Sequence, residues 1–191
     1  MRIGVDCDGV VLDYMKTARA YAELYDIDVA GTGGMADRSA IYARERYKWT
    51  AEVSKKFGEE FFVKLTREAP VFALAAEMIR RLRSEGHQLY MVSNRVIISP
   101  KHVAEAERVF ARNKIVFDGI FWTGDKIKTI LENKLDLMID DDNRVAEACA
   151  ASNIRCLFMR DKNTPEVRHA LVREVDNWPE IYRVVSRGFE G

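Results

Sequence analysis

Residues 2–14 read RIGVDCDGVVLDY, and this stretch decides the fold. Its short apolar run, at 2–7, meets two acids, Asp6 and Asp8, and then Gly9. An apolar run of this length that ends at turn-forming residues predicts a buried strand followed by a loop. In an open parallel sheet, ligands bind outside the carboxyl ends of the strands. The two acids are therefore predicted to lie at a ligand-binding edge of a sheet.

Strand and helix patterns alternate along the chain after residue 69. Apolar strand-like runs occur at 87–93, 118–124, 135–140 and 155–160, of which 155–160 is the last strand that the pattern predicts. Helical patterns occur at 71–82, 100–113, 125–133, 143–151 and 179–187. Such alternation predicts βαβ units and a parallel sheet. We therefore expect an α/β fold with a Rossmann-like, three-layer α/β/α arrangement.

Residues 15–68 interrupt this alternation, because no convincing strand appears in them. They combine helix-like spacing at 15–25, a glycine-rich stretch at 30–39 and a charged, aromatic stretch at 40–68. We interpret them as a small helical cap inserted after the first strand. The predicted organisation is a core of residues 1–14 and 69–191 with a cap of residues 15–68.

Length, charge and cysteine content exclude several classes of protein. The 191 residues are enough for one domain with a modest insertion. Thirty basic and thirty acidic residues give a net charge near zero, which argues against binding driven by a nucleic-acid backbone. No apolar run approaches the roughly 20 residues of a membrane span, and the acids near the N-terminus argue against a signal peptide.

The three cysteines have no spacing typical of a metal site. They are Cys7, Cys149 and Cys156, and no CxxC pattern occurs. We therefore expect neither a disulfide framework nor a zinc site. Buried, reduced thiols in a cytoplasmic protein are the expected state.

The other predicted strands also place polar groups at the carboxyl edge. These groups are Ser93, Asn94 and Arg95 after the second strand, Lys126 after the third, and Asp140, Asp141 and Asp142 after the fourth. Carboxylates gathered this closely repel one another unless a cation neutralises them. Mg²⁺ suits such a site, because it prefers one or two carboxylates together with waters and a substrate phosphate. The set predicts phosphoryl transfer with an aspartate nucleophile.

Four groups are candidates for binding the phosphate. Lys126 supplies a point charge and Ser93, with Asn94 beside it, supplies a hydroxyl for a phosphoryl oxygen. Gly9 permits close approach of the backbone, whose amides can donate to the same oxygens. Lys128 is a rival to Lys126 for the cationic position.

The motifs in this order resemble those of the haloacid dehalogenase (HAD) superfamily of phosphohydrolases. The matching segments are DCDGV at 6–10, MVSN at 91–94, Lys126 in GDKIK, and MIDDD at 138–142. The resemblance implies that Asp6 is the nucleophile and Asp8 the general acid and base. It implies that Ser93 and Lys126 hold the phosphoryl group. It also implies that Asp6, the backbone carbonyl of Asp8, and Asp140 or Asp141 bind Mg²⁺, with Asp141 the favoured member of that pair.

An acid at position 8 favours phosphatase over dehalogenase chemistry within the superfamily, because a departing halide needs no proton. The cap resembles those of the class in which it lies between the first and second motifs. Such caps close over a small substrate and exclude bulk water. The implied substrate is therefore a small phosphorylated metabolite rather than a nucleic acid or a protein.

Within the superfamily, the chain resembles the 5′(3′)-deoxyribonucleotidase-like group, through VDCDGVVLDY, the GDKIK and LDLMIDDD segments, and WPEIY at 178–182. This resemblance implies a nucleoside monophosphate as substrate. A sugar-phosphate phosphatase or phosphomutase is the alternative. A polynucleotide end phosphatase fits the cap and the neutral charge less well. A receiver domain has its acidic pair and phosphorylated Asp in the reverse order, and intact motifs argue against a binding protein without activity.

Several residues outside the motifs keep two interpretations. Arg95 either contacts phosphate or base or lies on the surface. The aromatic residues of the cap form its core, although one or two could stack on a nucleobase; these residues are Tyr21, Tyr25, Phe57, Phe61 and Phe62. Asp142 either belongs to the acidic cluster of the site or caps the helix that follows it. The three histidines, His87, His102 and His169, lie away from the motifs in sequence and receive no catalytic role.

Overall fold

The computed structural model describes residues 1–97 and 100–189. It contains a six-stranded sheet in which every pair of neighbouring strands is parallel. The strands are β1 (Arg2–Val5), β2 (Gln88–Ser93), β3 (Gly119–Trp122), β4 (Leu137–Asp140), β5 (Arg155–Phe158) and β6 (Val172–Glu174). Their order across the sheet is β3-β2-β1-β4-β5-β6. The predicted α/β fold with a parallel sheet is confirmed.

Helices cover both faces of the sheet. The helices after residue 70 are α4 (Ala75–Ser84), α5 (Pro100–Arg112), α6 (Lys126–Glu132), α7 (Asn143–Ala151) and α8 (Trp178–Arg187), numbered after three helices described below. Alternate strand residues point to opposite faces, so Ile3 and Met91 join a core with α4, α5 and α8. Val92 and Met138 join a second core with α6 and α7. The three-layer arrangement follows from these two cores.

The chain reverses its direction across the sheet at β1. From β1 it proceeds to β2 and β3 on one side, and then returns to place β4 on the other side. A reversal of strand order opens a crevice at the carboxyl ends of the strands that flank it. The ends of β1, β2 and β4 surround this crevice, and the loops after them carry the motif residues.

The segment between β1 and α4 is helical, as predicted. It contains α1 (Tyr14–Tyr25), a π-helical turn (Asp26–Ala30), α2 (Ala43–Tyr47) and α3 (Ala51–Glu68). Every residue of 14–68 is described, and none belongs to a strand. Rings of Tyr25, Trp49 and Phe57 pack with centroids 5.3–5.4 Å apart. Tyr25 belongs to α1 and Phe57 to α3, and Trp49 lies between α2 and α3. The aromatic cluster therefore packs these parts of the segment together.

Two boundaries differ from the sequence-based prediction. The helix expected over 71–82 begins only at Ala75, because Val71 forms a bridge with Leu12 and the Phe72 amide donates to the Val11 carbonyl (2.9 Å). The strand predicted at 155–160 is not the last one, since β6 pairs with β5. The strand β6 has only three residues, none of them buried, and so lacks the apolar run that marks the other strands.

Cys7, Cys149 and Cys156 are buried free thiols. Among the described residues, no helix has the length and apolar character needed to cross a membrane.

Candidate active site

Asp6 lies immediately after β1, at the centre of the sheet edge. Its amide donates to the Ile139 carbonyl (2.9 Å), which continues the pairing of β1 with β4. The loop that follows turns tightly, because the amides of Val11 and Leu12 both donate to the Cys7 carbonyl (3.0 and 2.9 Å). The turn holds Asp6 and Asp8 at the mouth of the crevice.

Lys126 brings two of the predicted acids together. It is the first residue of α6, and its side chain reaches back into the sheet edge, where it is only 8% exposed. Its Nζ lies 2.7 Å from Asp140 Oδ2 and 3.0 Å from Asp6 Oδ1. Burial disfavours the ammonium charge, but Asp140 and Asp6 outweigh burial and raise the pKa of Lys126 above its ordinary value. Lys128, the rival, is exposed on the same helix, so the structure places Lys126 in the site.

Asp140 and Asp141 occupy different surroundings at the end of β4. Asp140 is fully buried; its Oδ2 accepts from Lys126 and its Oδ1 accepts from the Asp142 amide (3.0 Å). Among the described residues, the Asp141 carboxylate has neither a hydrogen bond nor an ion pair. Asp6, Asp140 and Asp141 each offer an oxygen within 4.8 Å of the others. Oxygens this close together could hold a metal ion, and they come from the ends of two neighbouring strands.

Lys126 pairs with Asp6 and Asp140 but not with Asp141, so in the described part of the chain three carboxyl groups lie around one cation and carry an excess of negative charge when ionised. Burial raises the pKa of Asp6, and it raises the pKa of Asp140 to about 7. Burial, together with the charges of Asp6 and Asp140, holds the pKa of Asp141 well above its usual value. A divalent cation would match the excess charge, and carboxylate oxygens are ligands that Mg²⁺ accepts. The residues present therefore fit a magnesium ion.

Asp142 caps a helix, as one of its interpretations predicted. It precedes α7, and its Oδ1 accepts from the Arg144 amide (2.9 Å). Its carboxylate also pairs with the Arg144 guanidinium (2.6 Å). These contacts explain the third acid of the run by helix capping.

Arg95 is not a surface residue, which corrects one of its two interpretations. It lies in a 3-10 turn (Asn94–Ile97) after β2 and is 1% exposed. Its Nε donates to Asp8 Oδ2 (2.9 Å) and its Nη2 to Asp8 Oδ1. Its Nη1 donates to Thr66 Oγ1 (2.8 Å) in α3. The sequence could not show this, because the three partners are far apart along the chain.

Ser93 and Asn94 face the same crevice. Ser93 ends β2 and is buried, and its carbonyl accepts from the Thr123 amide (2.9 Å). Asn94 is exposed. Both line a cavity of about 780 Å³, together with Asp6, Asp8, Lys126 and Asp141. The structure thus brings the predicted phosphate-binding side chains to one cavity with Asp6, Asp8 and Asp141, whereas Asp140 and Gly9 do not line it.

The wall of this cavity opposite the strand ends comes from residues 14–62. Tyr14, Phe57 and Phe62 line it, whereas Tyr21, Tyr25 and Phe61 do not. Its volume is within the usual range of about 300–1,000 Å³ for small-ligand sites. Five arginines also line it, namely Arg19, Arg44, Arg46, Arg95 and Arg144. The Nη2 of Arg144 donates to the hydroxyl of Tyr42, which also lines the cavity (2.8 Å).

His102 also lines the cavity, which sequence reasoning missed. Its ring stacks on Phe62 (centroids 5.7 Å apart) and meets Tyr14 edge-on (6.2 Å). Burial, with the nearby Arg95 charge, lowers the pKa of His102 to about 3, so the ring is neutral at neutral pH. The spacing of the apolar residues in α5 could have predicted that His102 lies on the buried face of this helix.

Glycine is required at position 9 because the side chain of Asp141 lies against the backbone there. Its φ is +77°, and a Cβ at this position would lie 1.8 Å from Asp141 Oδ2 and 2.9 Å from Asp141 Cβ. Rotation of the carboxylate alone does not relieve a contact that extends to Cβ. Only glycine allows the loop after β1 to lie against Asp141.

Gly9→Ala is expected to destabilise the fold more than Gly86→Ala does. Gly86 has a similar φ of +87° but open space at its Cβ, so it shares the backbone cost without the contact. Overpacking adds about 1–3 kcal/mol, and this is the expected difference between the two variants in urea denaturation. Equal losses would mean that Asp141 does not lie against Gly9.

Comparison with known proteins shows the same fold in solved structures. CbbY from Rhodobacter sphaeroides, in complex with xylulose-1,5-bisphosphate, has 17% identity and a TM-score of 0.64, with 94% of this chain and 95% of that chain covered. A haloacid dehalogenase-like hydrolase from Streptococcus pneumoniae has 15% identity and a TM-score of 0.64, covering 96% and 97%. A predicted phosphatase from Clostridium acetobutylicum has 14% identity and a TM-score of 0.69, covering 98% of each chain. No protein-family model and no curated protein matches the sequence.

Proposed function

We propose that this chain is a phosphohydrolase of the HAD superfamily, a Mg²⁺-dependent phosphomonoesterase that acts through an aspartyl-phosphate. The observation that carries the proposal is the constellation of Asp6, Lys126 and Asp141 at the middle of the sheet edge, inside a cavity of ligand size. The similarity in fold to phosphatases supports it. The four motifs in their order supply the remaining support.

In the proposed reaction, Asp6 and Asp8 divide the chemistry. A carboxylate oxygen of Asp6 attacks phosphorus, and the bond from phosphorus to the leaving oxygen breaks while Asp8 gives that oxygen a proton. Asp8 then takes a proton from water, whose oxygen attacks the aspartyl-phosphate. The bond between phosphorus and Asp6 breaks, which releases inorganic phosphate and restores Asp6.

Lys126 and Ser93 stabilise the phosphoryl oxygens in this proposal. Lys126 is already held at the attacking oxygen by Asp140, so little reorganisation is needed when charge develops. Bound Mg²⁺ would supply the positive charge that lets an anionic phosphate approach Asp6. We propose Asp6, Asp141 and the backbone carbonyl of Asp8 as its ligands. Asp140 orients Lys126 instead, since both of its oxygens already accept hydrogen bonds.

We further propose that residues 15–68 act as a cap over a small substrate. They supply the aromatic wall of the cavity, and Arg19 in α1 pairs with Asp161 beyond β5 (3.3 Å). A nucleoside monophosphate is the proposed substrate, because Tyr42, Phe57 and Phe62 line the cavity and aromatic rings can stack on a nucleobase. The cytoplasmic location stays a prediction, with which the three free thiols agree.

A sugar phosphate is the second candidate. Arg19, Arg44 and Arg144 line the same cavity and could meet a second anionic group. The CbbY structure, which has this fold, contains a sugar bisphosphate. A phosphomutase would use the same site but return the phosphoryl group to its product.

Phosphate release from a panel of nucleoside monophosphates and sugar phosphates, with and without Mg²⁺, tests the proposal. Mg²⁺-dependent turnover is the expected result, with nucleotides faster than sugar phosphates. Faster turnover of sugar phosphates would establish the second candidate. A folded chain that hydrolyses no member of the panel would contradict the phosphomonoesterase proposal.

Mg²⁺ is expected to stabilise the chain more at pH 8 than at pH 6. Burial raises the pKa of the proposed ligands Asp6 and Asp141, beside Asp140 with its pKa of about 7. A carboxyl group whose folded pKa is raised contributes stability at low pH and loses it as pH rises through that pKa. Mg²⁺ needs the deprotonated carboxylates and restores the lost stability. At a hundredfold excess over its dissociation constant it adds about 2.7 kcal/mol, or about 5–11 °C in Tm for a chain of this size.

Asp141→Asn is expected to raise the Tm of the metal-free chain, because one like charge is removed. The same variant should lose most of the Mg²⁺-induced shift. Asp142→Asn is the matched control, since asparagine caps a helix as well as aspartate does and should leave the shift intact. A full Mg²⁺ shift in Asp141→Asn, measured by differential scanning calorimetry, would rule out the proposed ligand.

A further inference from the structure

Arg95 presents its guanidinium to two parts of the chain at once. Two of its nitrogens donate to the two oxygens of Asp8, and the third donates to Thr66 at 2.8 Å. The Tyr14 ring lies against it, with 5.3 Å between the guanidinium carbon and the ring centroid. A two-bonded pair of this kind fixes the plane of a carboxylate as well as its distance.

The Asp8 carboxylate is held in place without being enclosed. Its side chain is 27% exposed and lines the cavity, whereas that of Arg95 is 1% exposed. The edges of the carboxylate that Arg95 does not occupy are therefore open to the cavity. An acid and base that serves two successive steps needs this combination of fixed direction and free access.

Thr66 extends the arrangement into helix α3. Its hydroxyl donates to the Phe62 carbonyl (2.9 Å), which leaves the oxygen to accept from Arg95. Thr66 is fully buried, and Phe62 lines the cavity. A continuous chain of hydrogen bonds thus runs from the backbone of α3, through Arg95, to Asp8.

We propose that Arg95 is a positioning residue that aims the Asp8 carboxylate at the leaving oxygen and couples its direction to helix α3. The inference rests on the proposed function of Asp8. In this proposal Arg95 acts through Asp8 and not on the substrate, because each of its three nitrogens already donates to Asp8 or Thr66 and its side chain is 1% exposed. Lysine cannot replace it fully, since an ammonium lacks the planar fork that matches two carboxylate oxygens.

The test compares two substrates that differ in their need for a proton. An alkyl phosphate needs protonation of its leaving oxygen, whereas nitrophenyl phosphate releases a stable phenolate. The ratio kcat/KM reports only the steps up to departure of the leaving group, so the later attack of water does not enter it. Misdirection of Asp8 should therefore reduce kcat/KM for the alkyl phosphate much more than for nitrophenyl phosphate.

The variants are Arg95→Lys, Arg95→Met and Thr66→Val, with Arg83→Lys as the matched control. Arg83 makes the same two-nitrogen contact with Asp118 (3.2 and 2.8 Å) far from the site, near the start of β2. We expect Arg95→Met to lower kcat/KM for the alkyl phosphate on the order of 100-fold and for nitrophenyl phosphate less than about tenfold. Arg95→Lys should recover part of the loss, and Thr66→Val should show a smaller loss with the same substrate dependence.

Equal losses on both substrates in Arg95→Lys and Thr66→Val, or losses that follow only the decrease in Tm, would overturn the inference and leave Arg95 a structural anchor. If Arg95→Met does not fold, the other two variants decide the question. The alkyl phosphate is the fastest substrate of the panel, and a wild-type chain that hydrolyses neither nitrophenyl phosphate nor any member of the panel refutes the proposed function and the inference with it. A wild-type chain that is active, with Arg95→Lys unchanged, refutes the inference alone.

Discussion

Asp6→Asn is expected to reduce Mg²⁺-dependent phosphate release by at least roughly 10⁴-fold, as removal of a covalent nucleophile does in other enzymes. The amide has nearly the shape of the carboxylate but lacks the charge and the nucleophilic oxygen that attack phosphorus. Asp6 is also one of the two carboxylates at Lys126 (3.0 Å) and part of the three-acid cluster, so its loss affects several functions together. Steady-state kinetics on the best substrate of the panel gives the measurement.

Asp136→Asn is the matched control for that result. Asp136 Oδ2 accepts from the Arg2 amide (2.7 Å), at the amino end of β1 and therefore at the opposite edge of the sheet. Its variant should retain the wild-type rate. An acid-quenched wild-type sample should also contain a phosphorylated protein that hydroxylamine cleaves and that Asp6→Asn lacks. Appreciable turnover by Asp6→Asn would contradict the assignment of the nucleophile.

Lys126→Met is expected to damage both stability and turnover. Its removal leaves Asp6 and Asp140 buried without a cation, and breaking a buried ion pair in this way costs about 3–5 kcal/mol. The cost should be smaller at pH 5 than at pH 8, because a proton can then neutralise Asp140, whose pKa is already raised by burial. Turnover should fall by about 10²–10³-fold, the usual effect of losing one group that stabilises transition-state charge.

Lys128→Met is the matched control, because it removes an exposed lysine from the same helix without changing the site. The side chain of Lys128 is 67% exposed and lies 3.9 Å from Glu132, so its loss should change the free energy of unfolding by less than about 0.5 kcal/mol. Urea denaturation at both pH values and steady-state kinetics give the comparison. Mg²⁺ should restore part of the stability of Lys126→Met without restoring its turnover. Equal effects of the two substitutions would show that Lys126 has no special place in the site.

Most of the fold was predictable because each buried strand is an apolar run with a polar end. The runs that contain β1, β2, β3, β4 and β5 were recognised, among them the edge strand β3, which is apolar in sequence although none of its residues is buried. The edge strand β6 was missed because two of its three residues, Arg173 and Glu174, are charged, so it forms no apolar run. The start of α4 was misplaced because Val71 pairs with Leu12, a contact far away in the sequence.

The candidate site was predictable to the extent that its residues follow strands. Asp6, Ser93 and Asp140 come directly at the ends of central parallel strands, and such ends meet at one edge. The sequence favoured Lys126 over its rival Lys128, and the structure buries Lys126 beside Asp140 and leaves Lys128 exposed. Arg95 and His102 were misjudged, because nothing local distinguishes a buried polar side chain from an exposed one.

The sequence by itself determined the alternation of strands and helices, the position of the insertion and the acids at the strand ends. These features depend on periodic burial and on turn residues, which are local properties of the chain. Tertiary packing alone set the pairing of Asp8 with Arg95, the closeness of Gly9 to Asp141 and the different contacts of Asp140 and Asp141. Each of these features depends on residues that are far apart in the sequence and meet only when the strands and helices pack together. Spacing along the chain therefore does not predict which residues come into contact.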